Sequence, residues 1–452
     1  MQNQRPALAL LFPRTVLSAV IGLALTSTAQ AQSLIEMFDM AKGYDATYQS
    51  AKSQFQANLA KAEQGKANLL PTVGLYGEAR NSHRELSPQT ATSNYGYTTQ
   101  IGEIKAVQPL YRPANLALYQ QSQKTLNAAQ AAFIQAEQDL IVRTSQAYFD
   151  VLGAQDSLTF VKAQKTAVAE QLASAKRNFE VGTSTITDTR EAQARYDLVL
   201  AQEIATDNDL RVKKLALELL VGKSGITPFN IKNQGVLPPV PEGSIDTWVN
   251  NSELIHPAIQ QARVSLEVAK LEIERAQAGH KPTLDLVVDY NANKNINGTA
   301  VTAFNGSNQI NTSYASLQLN IPIFAGYATE NRIKETVALE EKARTDLEGV
   351  QRQVAQATRT AYLGLQSGLG QVKALEAAES SSQAALDANQ LGYKVGVRIN
   401  IDVLNSQSQL YQTKRDLAKA RYDVLVGQLK LRQANGSLKA DDLQAVNALL
   451  GK

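Results

Sequence analysis

The chain has 452 residues, a formal net charge of +3 and no cysteine. A near-neutral balance gives no reason to expect nucleic acid, and the missing thiol excludes disulfide staples, cysteine-ligated metal and a lipid-modified N-terminal cysteine. Length alone would suggest two or three domains, but an internal repeat replaces that expectation.

Residues 1–31 read as a secretory signal peptide. Arg5 and Arg14 precede an apolar run from Val16 to Leu25, and Ala29-Gln30-Ala31 is a small-x-small cleavage site. The run is well short of the roughly 18–20 residues that span a bilayer, which argues against an anchor. No later stretch is apolar enough for a transmembrane helix, so an exported chain of this kind is periplasmic, secreted, or held in the outer membrane as β-strands.

The first repeat is expected over 32–222. A helix over 33–69 is rich in Ala, Gln, Lys and Glu and cannot pass Pro71. The period then changes to alternation, predicting strands at 71–81 and 95–110 around a polar loop from Asn81 to Asn94. From 114 to 181 neither proline nor a turn cluster intervenes, and Tyr119, Leu126, Phe133, Leu140, Ala147, Ala154, Val161 and Val168 form a stripe repeating in sevens. Such a stripe demands a coiled-coil-like partner. Gly182 stops the helix, another over 185–221 follows, and the two must fold back as an antiparallel hairpin.

A linker rich in Pro and Gly occupies 223–246, and then the programme repeats over 247–436. Helices are expected over 247–279, 327–393 and 400–435, and strands over 282–291 and 312–323, with the polar loop Asn291 to Asn311 between them. The segment 437–452 closes the chain. The two hinges match residue for residue: Phe179 with Tyr393, Gly182 with Gly396 and Asp188 with Asp402 share one offset (393−179, 396−182 and 402−188 all give 214).

Strand pairs with one polar and one apolar face suit a membrane barrel with a wet interior, and Tyr76, Tyr95, Tyr97, Tyr290, Tyr314 and Phe324 near strand ends are candidates for an aromatic girdle, or equally for ordinary sheet aromatics. Four strands cannot close a barrel, since the smallest membrane barrels have about eight. A chain that enters the membrane this way must oligomerise.

The order of helix, strand pair and long hairpin, twice over, resembles the TolC family of outer-membrane channel-tunnels. The local phrases AYFDVLGAQDSL (Ala147 to Leu158), RNFEVGTSTITD (Arg177 to Asp188), AGHKPTLDL (Ala278 to Leu286) and GYKVGVRINIDVL (Gly392 to Leu404) carry the likeness, which covers nearly all of the mature chain. The resemblance implies a membrane α+β fold: a homotrimer whose twelve strands form one β-barrel in outer-membrane lipid, continuous with an α-helical coiled-coil barrel across the periplasm. The linker and the C-terminal segment would form a belt around it. It also implies an exit duct, serving an inner-membrane pump through a periplasmic adaptor and passing drugs or secreted proteins.

By the same resemblance, Tyr393 and Arg398 should bond to Thr187 and Asp188 as a latch that closes the periplasmic tip. For Asp188 a capping box with Thr185 is the competing reading. Asp402 should line the entrance, but the second acidic position of the family is Asn405 here, which predicts one carboxylate ring in place of two and weaker cation selectivity. Val181, Gly182, Val395 and Gly396 would lie at the tip and touch the adaptor. The glycines have a backbone reason of their own, since they break helices. His83, His256 and His280 are dispersed without ligand spacing, and Trp248 is expected to pack in the belt. No cofactor is implied, and no nucleophile–base pair, metal cluster or phosphate loop points to an enzyme. A periplasmic coiled-coil adaptor is the alternative, but it would not need two strand pairs with alternating faces.

Overall fold

The computed structural model describes residues 32–86, 93–232, 237, 243–298 and 306–451. In chain order these build helices α1 (Leu34–Tyr44) and α2 (Ala46–Ala67), strands β1 (Thr72–Leu86) and β2 (Ser93–Tyr111), and helices α3 (Pro113–Glu180) and α4 (Ile186–Val221). The second half supplies α5 (Ile245–Ile255), α6 (Pro257–Gln277), β3 (Thr283–Ile296), β4 (Asn308–Asn320), α7 (Ala328–Lys394), α8 (Asn400–Asn435) and the short α9 (Asp442–Asn447).

Two helices expected to be continuous are broken. The one over 33–69 stops at Tyr44 and restarts after Asp45, whose side chain accepts from the Tyr48 N–H at 2.8 Å and is held by both Arg143 terminal nitrogens at 2.9 and 3.0 Å. The one over 247–279 breaks at His256, whose Nδ1 accepts from the Ala258 N–H at 3.1 Å, with Pro257 opening the next helix. Asp45 and His256 are 211 residues apart (256−45), as are Pro71 and Pro282 (282−71), so both breaks belong to the repeat. An N-cap acceptor and a proline at the first helical position favour a restart over a straight passage.

The four strands form one antiparallel sheet in the order β1-β2-β3-β4. They run beyond their expected ends. Arg80 to Leu86, mostly read as loop, pair with Ser93 to Thr99, and β3 continues to Ile296. A ladder held by backbone bonds persists after the apolar pattern has ended. At the other end β4 stops at Asn320, short of the expected 323, because Pro322 has no N–H to donate. Pro88 and residues 299–305 of the two loops lie outside the described residues.

Residues opposite one another in the ladder share a face. The rungs Val73–Ala106–Val288–Ala315 and Leu75–Ile104–Tyr290–Ser313 make one face apolar, whereas Tyr76–Glu103–Asn291–Thr312 belongs to the other. Along the inner strand β3, Val288 is 46% exposed while its neighbours Val287 and Asp289 on the other face are 1% and 5% exposed, so here the apolar face is the bare one. This register revises the girdle. Tyr76, Tyr97 and Tyr314 fall on the polar face, with Tyr76 donating to Glu78 at 2.8 Å. Tyr290 is on the apolar face and Phe324 is exposed beyond β4, while the side chain of Tyr95 lies outside the described part. Nearness to a strand end does not choose a face; parity does.

Below the sheet, α3 has 68 residues, a rod of roughly 100 Å. Arg112, at the junction, grips Asp285 of β3 with two nitrogens at 2.8 and 2.6 Å. The heptad stripe of α3 is buried at Leu140, Ala154, Val161 and Val168, and only half-buried at Tyr119, Leu126, Phe133 and Ala147. The largest core forms where α1, α3, α4, α8 and α9 meet, around Met37, Tyr148, Phe149, Leu217 and Leu425. Beside this core Ile231 pairs with Leu450 and the Lys232 N–H donates to the Leu449 carbonyl, while Trp248 packs against a second cluster that includes Leu365 and Leu431, its carbonyl accepting from Asn435.

Candidate gate at the two hinges

The hinges are made by the same backbone. Val181 and Val395 cap α3 and α7 at φ −91°, ψ 2° and φ −90°, ψ 1°, and Gly182 and Gly396 follow at φ +78° and +81°. The Thr183 N–H returns to the Asn178 carbonyl at 2.8 Å and the Val397 N–H to that of Gly392 at 2.9 Å. Each pair closes a Schellman-type turn that needs a left-handed residue, which glycine supplies without Cβ strain. A Cβ built on either glycine meets nothing within 4 Å, so both sit in open space at the tip. Val181, Val395, Val397 and Ile399 are 60–75% exposed there, an apolar tip in water.

The first hinge satisfies itself. Asp188 Oδ2 accepts from Ser184 Oγ, Thr185 Oγ1 and the Thr185 N–H at 2.7, 2.8 and 3.0 Å, and the Asp188 N–H returns to Thr185 Oγ1, completing a capping box. Burial pushes this carboxyl up, but the bonds from Ser184 and Thr185 together outweigh it and hold it below the usual aspartate range. The second hinge has Ile399 in place of Thr185, and no side chain caps α8. Its acid, Asp402, has only a loose ion pair with Arg398 at 3.7 Å.

Within one chain the structure does not join the expected latch. Tyr393 Oη accepts from Asn178 Nδ2 at 3.1 Å, Arg398 reaches Asp402 of its own hairpin, and Thr187 is exposed. Asp188 is engaged by its capping box, which satisfies Oδ2 locally. Arg398 lies across Gly392, where a Cβ would come within 2.6 Å of its Cγ, and its side chain remains 58% exposed. Asn405 has a partner that the sequence did not announce: Arg195 Nη2 of α4 donates to its Oδ1 at 2.8 Å.

A further residue was missed altogether. Asn400 opens α8, is 1% exposed, accepts from Gln171 Nε2 of α3 and donates to the Asp188 carbonyl of α4 at 3.2 Å. Its repeat counterpart is Ile186 (400−214). A polar residue standing where the other copy has an apolar one was the available signal.

A protein-family model described as "Outer membrane efflux protein" matches residues 38–223 and 248–437, one block for each repeat. The chain belongs to the outer membrane efflux protein family. The outer membrane protein TolC of Vibrio cholerae serotype O1 is 32% identical over 437 residues, covering 95% of this chain and 96% of the relative. The proteases secretion protein PrtF of Dickeya chrysanthemi is 28% identical over 444 residues, covering 96% and 94%. Among solved structures, the outer membrane protein VceC of Vibrio cholerae superposes with a TM-score of 0.73 at 17% identity, covering 90% of this chain and 96% of that one.

Membership in the outer membrane efflux protein family places the chain in the outer membrane, and the sheet is the part that fits there. Among the described residues no helix is long and apolar enough to cross a membrane. The bare apolar face of β1–β4 is the surface suited to lipid, and the hinges lie at the far end of the long helices.

Proposed function

We propose that three copies of this chain assemble into an outer-membrane exit duct, reached by an inner-membrane pump through a periplasmic adaptor and gated at the hinge tip. The observation that carries the reading is the open sheet: β1 and β4 each keep one unpaired edge while one face is apolar. An unpaired edge in lipid costs several kcal/mol per backbone group, so the edges must meet another copy. Three copies bring twelve strands (three times four), enough to close a barrel. A periplasmic adaptor would have no use for that apolar face.

The latch then works between copies. Arg398 is exposed and only loosely paired, and Asp188 uses one carboxylate oxygen for its cap, which leaves Oδ1 for a guanidinium from a neighbouring chain beside Thr187. An arginine can bridge two such oxygens at once. Asp402 and Asn405 line the entrance, and the apolar tip around Val181, Gly182, Val395 and Gly396 meets the adaptor. Relatives named for protease secretion and for solvent efflux support both protein and small-molecule cargo.

Single-channel recording in a planar bilayer tests this. Arg398→Ala should raise conductance by releasing the closed tip, with a heat-dependent gel shift of the oligomer unchanged. Recovery of the wild type as a soluble monomer, or an Arg398→Ala channel that conducts as the wild type does, would overturn the reading.

A further inference from the structure

We infer that a cavity beside the Ile231–Leu450 bridge, walled by α3, α7 and α8, is a binding site for a small carboxylate with an apolar body. The inference goes beyond the duct reading and does not depend on it.

The cavity has a volume of about 240 Å³. That is below the roughly 300–1,000 Å³ of pockets that take drug-sized ligands, so its occupant is small. Much of the wall is apolar, with Phe160 of α3, Leu417 and Leu425 of α8, and Ile231 and Leu449 from the two bridging segments. An aliphatic or aromatic body gains by leaving water for such a wall.

The polar part is built chiefly from one face of α8. Lys414, Leu417, Ala418 and Arg421 all line the cavity, at the spacing i, i+3, i+4, i+7 that aligns side chains along a helix. Arg421 Nη2 donates to Glu376 of α7 at 2.9 Å, but its Nε is buried and has no acceptor among the described residues. A buried donor on a charged group is costly to leave unpaired, so this guanidinium calls for an oxygen that the fold does not supply. Lys414 has its Nζ 5.9 Å from the centroid of the Tyr411 ring, and no carboxylate of the described residues pairs with it. Two cations with unmet demand thus stand two turns apart, with an apolar surface between them.

The acids at the cavity do not meet that demand. Asp156 of α3 accepts from Tyr422 Oη at 2.6 Å, and burial pushes its carboxyl above the usual aspartate range. Glu379 of α7 also lines the cavity and pairs with neither cation. An anion would meet both Lys414 and Arg421, whereas an amine would meet one free carboxylate and be repelled by both. A carboxylate also brings less charge into a partly apolar site than a phosphate does. Once bound, one molecule would touch three helices and both bridging segments.

The test uses the full-length oligomer in non-ionic detergent at neutral pH, with hexanoate as probe and hexanol as its uncharged counterpart. Saturation-transfer NMR should show hexanoate binding with a dissociation constant of about 1 mM. Hexanol should bind about tenfold more weakly, because it offers no charge to the two cations. Arg421→Gln should weaken hexanoate about tenfold and leave hexanol unchanged, which a variant that merely loosened the fold would not do. Lys414→Gln should act in the same direction and by less. Ala418→Leu, which fills the cavity from α8, should abolish binding of both probes while the heat-resistant oligomer persists. Where that oligomer is lost, Phe160→Trp fills the same space from α3.

All variants share the micelle, so partition of a probe into detergent cancels between them. Equal affinities for hexanoate and hexanol, or an Arg421→Gln protein that binds hexanoate as the wild type does, would overturn the assignment to an anion. Binding that survives both filling variants would overturn the cavity as the site. A wild type that shows no saturable hexanoate binding well above the expected constant would overturn the proposal whole.

Discussion

The two hinges share a backbone to within a few degrees and differ in what surrounds it. At the first, Thr185, Ser184 and Asp188 close a capping box inside the turn. At the second, the same positions hold Ile399, Arg398 and Asp402, the cap is missing, and the polar groups point to other elements: Tyr393 to Asn178, Asn400 to Gln171 and Asp188, Asn405 to Arg195. A duplicated turn has thus been kept as geometry twice and as a self-contained unit once. The second copy is tied chiefly by bonds to other elements, which suits the gating role proposed above.

Substituting the hinge glycines should have the largest effect on this comparison. Alanine at φ near +80° costs roughly 1–2 kcal/mol, and because a Cβ at either position meets nothing within 4 Å the whole cost is backbone. Gly182→Ala and Gly396→Ala should therefore lose similar amide-exchange protection at their helix ends, about tenfold each. Their consequences for conduction should diverge: Gly396→Ala should change open probability and Gly182→Ala should leave it nearly unchanged. Equal effects on gating would show that the hinges move alike.

The cap difference gives the next effect. Thr185→Ala should cost the start of α4 about 1 kcal/mol, and Ile399→Thr should stabilise the start of α8 by a similar amount while drawing Asp402 away from Arg398. Acid should act on one hinge through Asp188. Its carboxyl is held below the usual aspartate range, so the stability it contributes is present above the unfolded-state value and is lost as pH falls through the depressed folded one. Protection of the first-turn amides of α4, taken relative to their intrinsic exchange rate at each pH, should fall at pH below about 4, and Asp188→Asn should flatten that dependence. A wild-type profile that matches Asp188→Asn would remove the capping box from the account.

The sequence carried the parts of this picture that are local. Gly182, Gly396 and the prolines punctuate the chain, and the seven-residue stripe requires a long helix whatever lies beside it. The break at Asp45 is not legible because a lone aspartate between Tyr44 and Ala46 does not interrupt helical spacing, whereas Pro257 marks its counterpart. Strand ends escaped because hydrogen bonding from Arg80 to Leu86 depends on a partner strand and not on apolar side chains. The latch residues sit near the expected turns, but their partners are set by packing between hairpins more than 200 positions apart in the chain, as with Asn178 and Tyr393. No spacing rule reaches that far.

The smallest effect should come from Asn405, and here the structure changes the expectation. Counting carboxylates alone, Asn405→Asp would add a second acidic ring and strengthen block by polyvalent cations. Arg195 Nη2, however, already stands 2.8 Å from the Asn405 oxygen, so a new carboxylate at this exposed site would pair with it at once. The guanidinium would occupy the oxygens of the new carboxylate and compete with a cation for them. Block of single-channel current by a trivalent cation should therefore change less than about twofold in Asn405→Asp. It should strengthen clearly only when Arg195→Gln accompanies the change and frees the carboxylate beside Asp402. If Asn405→Asp alone matched the double variant, Arg195 would have no part in setting the charge of the entrance, and the loss of one acidic position would stand as a simple deletion of charge. If the double variant alone responds, the entrance is tuned by a pair of residues on different hairpins, and its charge must change whenever those hairpins separate.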